Sequence, residues 1–307
     1  MNAVMHGDMK AARPKLGFVG AGRAGSALAV GLRDAGYEVS AISSREPHDA
    51  DELAARFGAR SVSTPEGVVA AADLTLLTVP DTQIGVVAAS LVASEVELRD
   101  RAVVHCSARQ SARELRSLAL AGAEVGVLHP LQSLAGPDSA VNLRGSRFRV
   151  EAEEPLRTVL HRMVEDLGGA PIEVPAEALD LYHAAAVLAG NAPIALLARA
   201  SRLLEQAGVA PADAWQGLAA LMQGAAANAR ASAAAESLTG PVARGDADAV
   251  ARHLEALAGD PQLQELYRTL VRDMATVVEP RDPAAAARIR SVVEPHASPR
   301  VRRPRVA

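Results

Sequence analysis

The chain has 307 residues, 49% of them apolar and 2% aromatic, and this length is enough for about two domains that each bury a core. The low aromatic content argues against a protein that stacks single-stranded nucleic acid on aromatic rings, and the net charge of -4 gives no general attraction to nucleic acid or anionic lipid. Because Cys106 is the one cysteine, the sequence excludes an internal disulfide and a cysteine-rich metal site, and we expect no bound metal.

The N-terminal segment, residues 1–13, mixes charged and small residues and has no apolar core, so we predict a flexible tail and no signal peptide. The most apolar internal stretch, residues 184–198, is interrupted by Asn191 and Pro193. It is too short and too polar to span a bilayer. We therefore expect a cytoplasmic protein without a membrane partner.

Residues 14–175 alternate short apolar runs with helical segments. The strand candidates are residues 16–19, 39–42, 74–79, 102–105, 125–128, 148–150 and 172–174. These runs are apolar throughout, as strands buried on both faces of a parallel sheet are. The pattern predicts an α/β fold in which residues 14–175 form a doubly wound, mostly parallel Rossmann sheet.

After residue 175 alanine and leucine dominate, and breaks occur at residues 208–211, 239–241 and 259–261. We predict an all-α domain for substrate binding and dimerisation over residues 176–293. A basic flexible tail, residues 294–307, follows. Its four arginines are a poor basis for nucleic-acid binding, and we expect no nucleic-acid partner.

A glycine-rich motif, Gly20-Ala21-Gly22-Arg23-Ala24-Gly25, follows the first strand candidate and begins a helical segment. In this context the first glycine permits a tight turn, the second lets the backbone approach a pyrophosphate, and the third lets helix and strand pack closely. The helix N-terminus then offers free N–H groups to the phosphates. We predict that these six residues bind a dinucleotide.

The end of the second strand candidate favours NADP over NAD. An NAD site normally places Asp or Glu here to bind the ribose hydroxyl, whereas this chain has Ser43-Ser44-Arg45. Two hydroxyls and a guanidinium can bind a 2′-phosphate that a carboxylate would repel. The alternative is that Arg45 is an ordinary exposed charge. We predict NADP(H) as the cofactor.

Two further strand ends lie at the sheet edge where ligands of open α/β folds bind. We predict that the turn at Val79, Pro80 and Asp81 passes over the nicotinamide ribose, although Asp81 is equally suited to cap the next helix. Ser107 follows the next strand and can hydrogen-bond a carboxamide or a substrate. The alternative is a serine that stabilises a turn.

His129 follows the strand candidate 125–128, and we expect Pro130 to end that strand, which places His129 at the carboxyl edge of the sheet. An imidazole there can donate a proton near neutral pH to a ketone or imine that accepts hydride. The alternative is a histidine that bonds to the backbone. Gln132 is a candidate neutral donor beside it.

His183 and Asn191 lie eight residues apart in an alanine-rich segment, near one face of a helix. Polar groups on an apolar helix need partners, which a substrate cleft or a dimer interface would provide. The candidate catalytic residues are therefore His129, His183, Asn191 and Ser107.

The segments 17–25, 79–81, 105–107, 129–132, 183–186 and 239–246, together with Asn191, resemble one family. It is the family of Rossmann-like oxidoreductases with a C-terminal helical domain of unknown function. The chain is more distantly similar to pyrroline-5-carboxylate reductase, prephenate dehydrogenase and the 3-hydroxyisobutyrate and 6-phosphogluconate dehydrogenases. The resemblance implies NADP binding and a helical domain that often forms a homodimer. If Asn191 matches the asparagine of the hydroxyisobutyrate-type enzymes, Val187 replaces their catalytic lysine, and that chemistry is not transferable.

These observations predict an NADP(H)-dependent oxidoreductase that transfers hydride to or from a small ketone or imine, such as a keto acid. The expected partners are a small-molecule substrate and a second copy of the chain. The alternative function is an NADP-binding sensor or regulatory dimer without turnover.

Overall fold

The computed structural model describes residues 13–294. The predicted tails, residues 1–13 and 294–307, lie outside this range except for Arg13 and Glu294. The chain divides into two compact units, of which the first ends at Ile194 and the second begins at Ala195. The sequence places the boundary between residues 175 and 176, where the strand candidates end. The first helix of the predicted second domain therefore groups with the sheet.

The first unit contains one eight-stranded sheet. Its strands are β1 Leu16–Val19, β2 Val39–Ser43, β3 Arg60–Ser61, β4 Leu74–Leu77, β5 Ala102–His105, β6 Glu124–Leu131, β7 Arg147–Ala152 and β8 Ala170–Ile172. Their order is β3-β2-β1-β4-β5-β6-β7-β8, and neighbouring strands are parallel except for the antiparallel pair β6 and β7. This confirms the predicted mostly parallel α/β sheet.

Helices cover both faces of the sheet. They are α1 Arg23–Asp34, α2 Pro47–Phe57, α3 Pro65–Ala71, α4 Asp81–Ala93, α5 Arg116–Leu120 and α6 Leu156–Asp166. A further helix, α7 Leu179–Gly190, follows the last strand and is largely exposed. Leu76 of β4 packs in a cluster with Leu28 of α1 and Leu160 of α6, whereas the next residue, Leu77, packs in a second cluster with Ile84 of α4. Because side chains alternate along a strand, the two clusters lie on opposite faces, which explains why consecutive residues such as Leu76 and Leu77 are both apolar.

Strand β6 differs from the prediction because it continues through Pro130 to Leu131. Pairing with β5 ends at Val127, whereas pairing with β7 continues to Leu131. Beyond Val127, β6 has no hydrogen bonds to β5 along one edge. Pro130, which has no N–H to donate, is tolerated there. His129 lies within this extension, past the end of β5, and therefore at the carboxyl edge of the sheet, as predicted. The expectation that Pro130 ends the strand was wrong.

The C-terminal part of the described chain is helical. Its helices are α8 Ala192–Gln206, α9 Pro211–Ala231, α10 Ala234–Ser237, α11 Gly240–Arg244, α12 Ala247–Ala256, α13 Pro261–Val278 and α14 Pro283–Val293. Val250, Val271 and Ile289 belong to its apolar core. Asp246 caps α12, because its carboxylate accepts a hydrogen bond from the N–H of Ala249 at 3.0 Å.

An apolar helical stretch, Ala176–Gln206, includes α7 and α8. It has 31 residues with a mean hydropathy of 1.5, and within the described range it is the one helical stretch long and apolar enough to cross a membrane by length and composition. The sequence prediction considered residues 184–198 alone and found them too short. One such stretch is weak evidence for a membrane span. Since 6% of its most apolar part is buried, it presents an extended apolar surface.

Candidate active site

The glycine motif forms a tight turn between β1 and α1. Gly20 has φ +110°, and a Cβ there would lie 2.7 Å from the carbonyl oxygen of Thr78. The N–H of Gly20 donates to the carbonyl of Ser43 at 2.7 Å, and the Thr78 hydroxyl donates to the carbonyl of Gly20 at 2.6 Å. These bonds join the turn to β2 and to the end of β4, and the conformation requires glycine.

Gly22 leaves open space in front of the first turn of α1. It is the N-cap of this helix, and a Cβ built on it has no neighbouring atom within 4 Å. Gly25 lies behind it, where a Cβ would collide with the carbonyl oxygen of Gly20. The turn is therefore closed on the sheet side and open above the helix N-terminus, which is the geometry that receives a pyrophosphate.

Arg45 is free to meet a ligand at the end of β2. Ser43 is buried in the strand, Ser44 is partly exposed, and the Arg45 side chain is 90% exposed. Its Nε lies 3.5 Å from an oxygen of Glu46, an exposed pair that contributes little to stability. Arg45 can therefore leave Glu46 for a phosphate without a large cost.

The turns after β4 and β5 are connected. Pro80 is the N-cap of α4, and Asp81 begins the helix without a side-chain capping bond, so the alternative capping role of Asp81 is wrong. The backbone carbonyl of Asp81 accepts a hydrogen bond from Nε2 of Gln110 at 3.2 Å. Val79, the first residue of this turn, is partly buried. The predicted cofactor-binding turn is thus fixed in position by the loop that follows β5.

Ser107 stabilises its own turn. Its hydroxyl accepts hydrogen bonds from the N–H groups of Arg109 and Gln110, both at 3.1 Å, and the residue is buried. It lies outside the lining of the cavity described below. Burial raises the pKa of the adjacent Cys106 thiol to about 12, so this thiol is unreactive at neutral pH.

A cavity of about 600 Å³ lies beside the glycine turn, between the β6 extension and α7. Its lining residues are Arg23, His129, Leu131, Gln132, Ser133, Leu134, Tyr182, His183, Ala185, Ala186, Val187, Ala189, Gly190 and Asn191. The structure therefore brings together three predicted catalytic residues, His129, His183 and Asn191, with Arg23 of the glycine motif. Val187 lines the same cavity, and its side chain has no proton to donate.

Tyr182 forms a pair with His129 that sequence reasoning missed. Its hydroxyl lies 2.8 Å from Nδ1 of His129, and the two rings meet edge to face at 5.6 Å between centroids. In one tautomer Tyr182 donates and His129 keeps an Nε2–H; in the other His129 donates and Tyr182 keeps its O–H. In either case the pair retains one proton donor that the internal bond does not use.

Both members of the pair are uncharged at neutral pH. Burial is the largest cause that lowers the pKa of His129, to about 4, and the charge of Arg149 and the neighbouring His183 and His105 lower it further. Burial likewise raises the pKa of Tyr182 to about 12. A proton from this site would therefore come from the neutral pair and not from an imidazolium.

The other polar lining residues have distinct roles. Nε2 of Gln132 donates to the carbonyl of Asn142 at 2.9 Å and to the hydroxyl of Ser146 at 3.1 Å, so this side chain holds a loop and its donors are used. Nδ1 of His183 is buried without a hydrogen-bond partner among the described residues. Asn191 is the C-cap of α7 and is exposed. Both residues line the cavity, where a ligand can meet them.

Comparison with known families matches two regions of the chain. Residues 15–109 match the family described as NADP oxidoreductase, coenzyme F420-dependent, and residues 146–274 match the domain of unknown function DUF2520. The chain joins a Rossmann-type oxidoreductase domain to a DUF2520 domain. The family resemblance seen in the motifs is confirmed, and the DUF2520 domain begins within the sheet, at the start of β7. No curated protein matches the sequence.

Solved structures share the fold. BF3122 from Bacteroides fragilis, described as an NADP oxidoreductase, is 23% identical with a TM-score of 0.68 over 85% of this chain and 97% of that chain. TM1727 from Thermotoga maritima is 27% identical with a TM-score of 0.65 over 87% and 99%. A pyrroline-5-carboxylate reductase from Coxiella burnetii is 17% identical with a TM-score of 0.56 over 92% and 100%. The Rossmann-like fold thus recurs along nearly the whole of these chains.

The described residues, 13–294, contain no cluster of three or more His, Cys, Asp or Glu side chains that could hold a metal ion. The polar groups at the cavity are imidazole, phenol, amide, guanidinium and the hydroxyl of Ser133. They are suited to hydrogen bonding and to binding anions.

Proposed function

We propose that the protein is an NADP(H)-dependent oxidoreductase that transfers hydride to or from a small ketone or imine, with a keto acid as the model substrate. One observation carries the proposal: Arg23 of the dinucleotide motif and the His129–Tyr182 pair line the same cavity. Its volume, about 600 Å³, is typical of a site for a small ligand.

The residues at the glycine turn fit a dinucleotide. The open space at Gly22 and the first N–H groups of α1 would hold the pyrophosphate, and Arg45 with Ser44 would hold the 2′-phosphate. When bound, NADPH supplies a hydride. The chain must then orient the acceptor, exclude water and supply one proton.

The proton is the task of the His129–Tyr182 pair. A carbonyl that accepts hydride becomes an alkoxide, and an imine becomes an amide anion unless a proton reaches its nitrogen. The pair has one free donor in either tautomer and no net charge at neutral pH. His183 and Asn191 supply the hydrogen bonds that orient the substrate.

Turnover tests this function directly. We expect oxidation of NADPH in the presence of at least one member of a panel of keto acids and cyclic imines. Tight binding of NADPH without oxidation across the whole panel would favour the non-catalytic sensor, and absence of NADPH binding would contradict both functions.

Cofactor preference gives a second test. Arg45→Ala is expected to weaken NADPH binding by about 10–100-fold, the equivalent of one charge-assisted bidentate contact, and to leave NADH binding unchanged. Fluorescence titration of both nucleotides measures this. Arg116→Ala, which removes an exposed arginine outside the motif, is the matched control. Equal affinity of the wild type for NADPH and NADH would contradict the assignment of Ser43-Ser44-Arg45 to the 2′-phosphate.

We also propose that the protein is a homodimer, with a second copy covering the apolar surface of α7. Leu181 and Leu188, seven residues apart on α7, are 75% and 70% exposed. Monomeric soluble proteins rarely expose large contiguous apolar patches. Two copies of one chain provide matching apolar surfaces, and a two-fold dimer is the commonest closed assembly.

A charge on this surface is expected to separate the dimer. Leu188→Glu should raise the dimer dissociation constant at least about 100-fold, because a buried unpaired carboxylate costs several kcal/mol. Sedimentation velocity measures the change. Leu120→Glu is the control, since Leu120 is 80% exposed on α5. A wild-type protein that sediments as a monomer, or that requires detergent or vesicles, would contradict the dimer.

A further inference from the structure

Arg149 of β7 is the largest fully buried side chain in the described part of the chain, with 1% exposure. One guanidinium nitrogen, Nη1, donates to the backbone carbonyl of Ser107 at 3.2 Å and to that of Gln110 at 3.0 Å. The other, Nη2, forms an ion pair with Glu151. A single side chain thus joins β7 to the loop that follows β5.

Neighbouring groups hold the same loop, residues 106–112. The second carboxylate oxygen of Glu151 accepts a hydrogen bond from the N–H of Ala112 at 2.9 Å. Nε2 of His105 lies 3.0 Å from the carbonyl oxygen of Ser111. Gln110 in turn donates to Asp81 at the start of α4. Arg149 and Glu151 therefore hold the loop that contains Gln110, and Gln110 connects this loop to the turn predicted to pass over the nicotinamide.

Arg149 also lies beside His129. The two residues are direct partners in the antiparallel register of β6 and β7, so their side chains project from the same face of the sheet. His129 faces Arg149 from β7, His105 from β5, and Tyr182 and His183 from α7. The guanidinium is the permanent positive charge among these groups, and it opposes protonation of the imidazole.

A buried arginine is a costly way to stabilise a sheet. Desolvation of a guanidinium and a carboxylate often exceeds their mutual attraction, and apolar residues of similar volume are commonly as stable. Nε of Arg149 moreover has no hydrogen-bond partner among the described residues. Departures from good packing of this kind are typical of functional sites.

We propose that Arg149 is a positioning residue that fixes loop 106–112 at the cofactor edge of the sheet and places a positive charge against His129. By fixing loop 106–112, Arg149 keeps in place the surface on which the nicotinamide would lie. Its charge keeps the His129–Tyr182 pair neutral, so that the hydrogen bond of the pair and its one free donor persist at acidic pH. Only the catalytic consequence of this inference rests on the proposed function.

Three variants separate the two effects. Arg149→Met removes both the bonds and the charge, whereas Arg149→Lys keeps a charge but cannot donate to two carbonyls and a carboxylate in the same planar geometry. Arg147→Met is the matched control, because Arg147 lies on the same strand and is exposed. All are measured on the full chain without substrate, by amide hydrogen exchange at Gln110 and Ala112 and by NMR of the His129 ring nitrogens at pH 5.

We expect exchange at Gln110 and Ala112 to accelerate at least about 10-fold in both Arg149 variants, since each loses contacts that keep the loop closed. In Arg149→Met the imidazolium fraction of His129 at pH 5 should at least about double, whereas Arg149→Lys should stay near the wild type. With a substrate in hand, kcat should fall about 100-fold in both variants, as it does when a reacting group is misplaced, with a smaller change in KM. Arg147→Met should match the wild type in all three measurements.

Unchanged exchange in Arg149→Lys would overturn the proposal, and so would an unchanged His129 spectrum in a folded Arg149→Met. If Arg149→Met does not fold, the amide hydrogen exchange and the kcat of Arg149→Lys test the proposal instead. Because exchange and the His129 spectrum need no substrate, failure to find turnover would overturn the proposed function and leave the role of Arg149 standing.

Discussion

Tyr182→Phe is expected to lower kcat by about 10²–10⁴-fold, the usual contribution of a positioned proton donor. The change removes the hydroxyl that lies 2.8 Å from Nδ1 of His129 and leaves the ring in place. NADPH affinity should change less than about twofold, because an interaction made in the transition state lowers kcat without weakening ground-state binding. Steady-state kinetics on a substrate from the panel and a fluorescence titration with NADPH measure the two quantities.

The chain offers a matched control for this variant. In the helical unit, the Tyr267 hydroxyl lies 2.7 Å from Nδ1 of His253, and these rings also meet edge to face. Tyr267→Phe therefore removes the same kind of bond at a place outside the cavity lining, and its kcat should equal that of the wild type. Full activity of Tyr182→Phe or of His129→Ala would contradict the assignment of the proton donor to this pair.

The cofactor half of the site could be predicted from the sequence because its geometry is local. Gly20 needs its positive φ, and Gly25 needs its close approach to the carbonyl of Gly20, whatever the rest of the chain does. Both requirements fall on consecutive residues between a strand and a helix. The apolar runs likewise predicted seven of the eight strands, because burial on both faces makes each strand apolar by itself. They missed β3, Arg60–Ser61, whose two residues are polar and exposed.

The catalytic half could not be predicted to the same extent, because its contacts are distant in sequence. Tyr182 and His129 are 53 residues apart, and no local pattern indicates their hydrogen bond. Arg149 appears in the sequence as one of two arginines that alternate with apolar residues on a short strand. Its burial depends on the antiparallel pairing of β6 with β7, and the prediction of a mostly parallel sheet does not say which strands pair in that way. The sequence analysis selected His183 as a candidate, and Tyr182 is the residue directly before it.

The free energy of unfolding is expected to fall by about 2–3 kcal/mol between pH 7.5 and pH 4.5 because of His129 alone. Its pKa is about 4 in the folded protein, whereas an unfolded histidine titrates near the ordinary value of about 6.5. Between these values the unfolded chain binds a proton that the folded protein does not, so acid favours unfolding. The contribution of neutral His129 is therefore complete above about pH 6.5 and is lost progressively as the pH falls to about 4.

Denaturant unfolding of the wild type and of His129→Gln at the two pH values isolates this contribution. Glutamine cannot titrate, and its amide can still meet the Tyr182 hydroxyl, so the variant should lose about 2–3 kcal/mol less stability than the wild type over the same range. His48→Gln, at an exposed position of α2, should follow the wild type. Parallel losses in the wild type and His129→Gln would show that His129 titrates normally, and the buried charge of Arg149 would then have no effect on the pair that it faces.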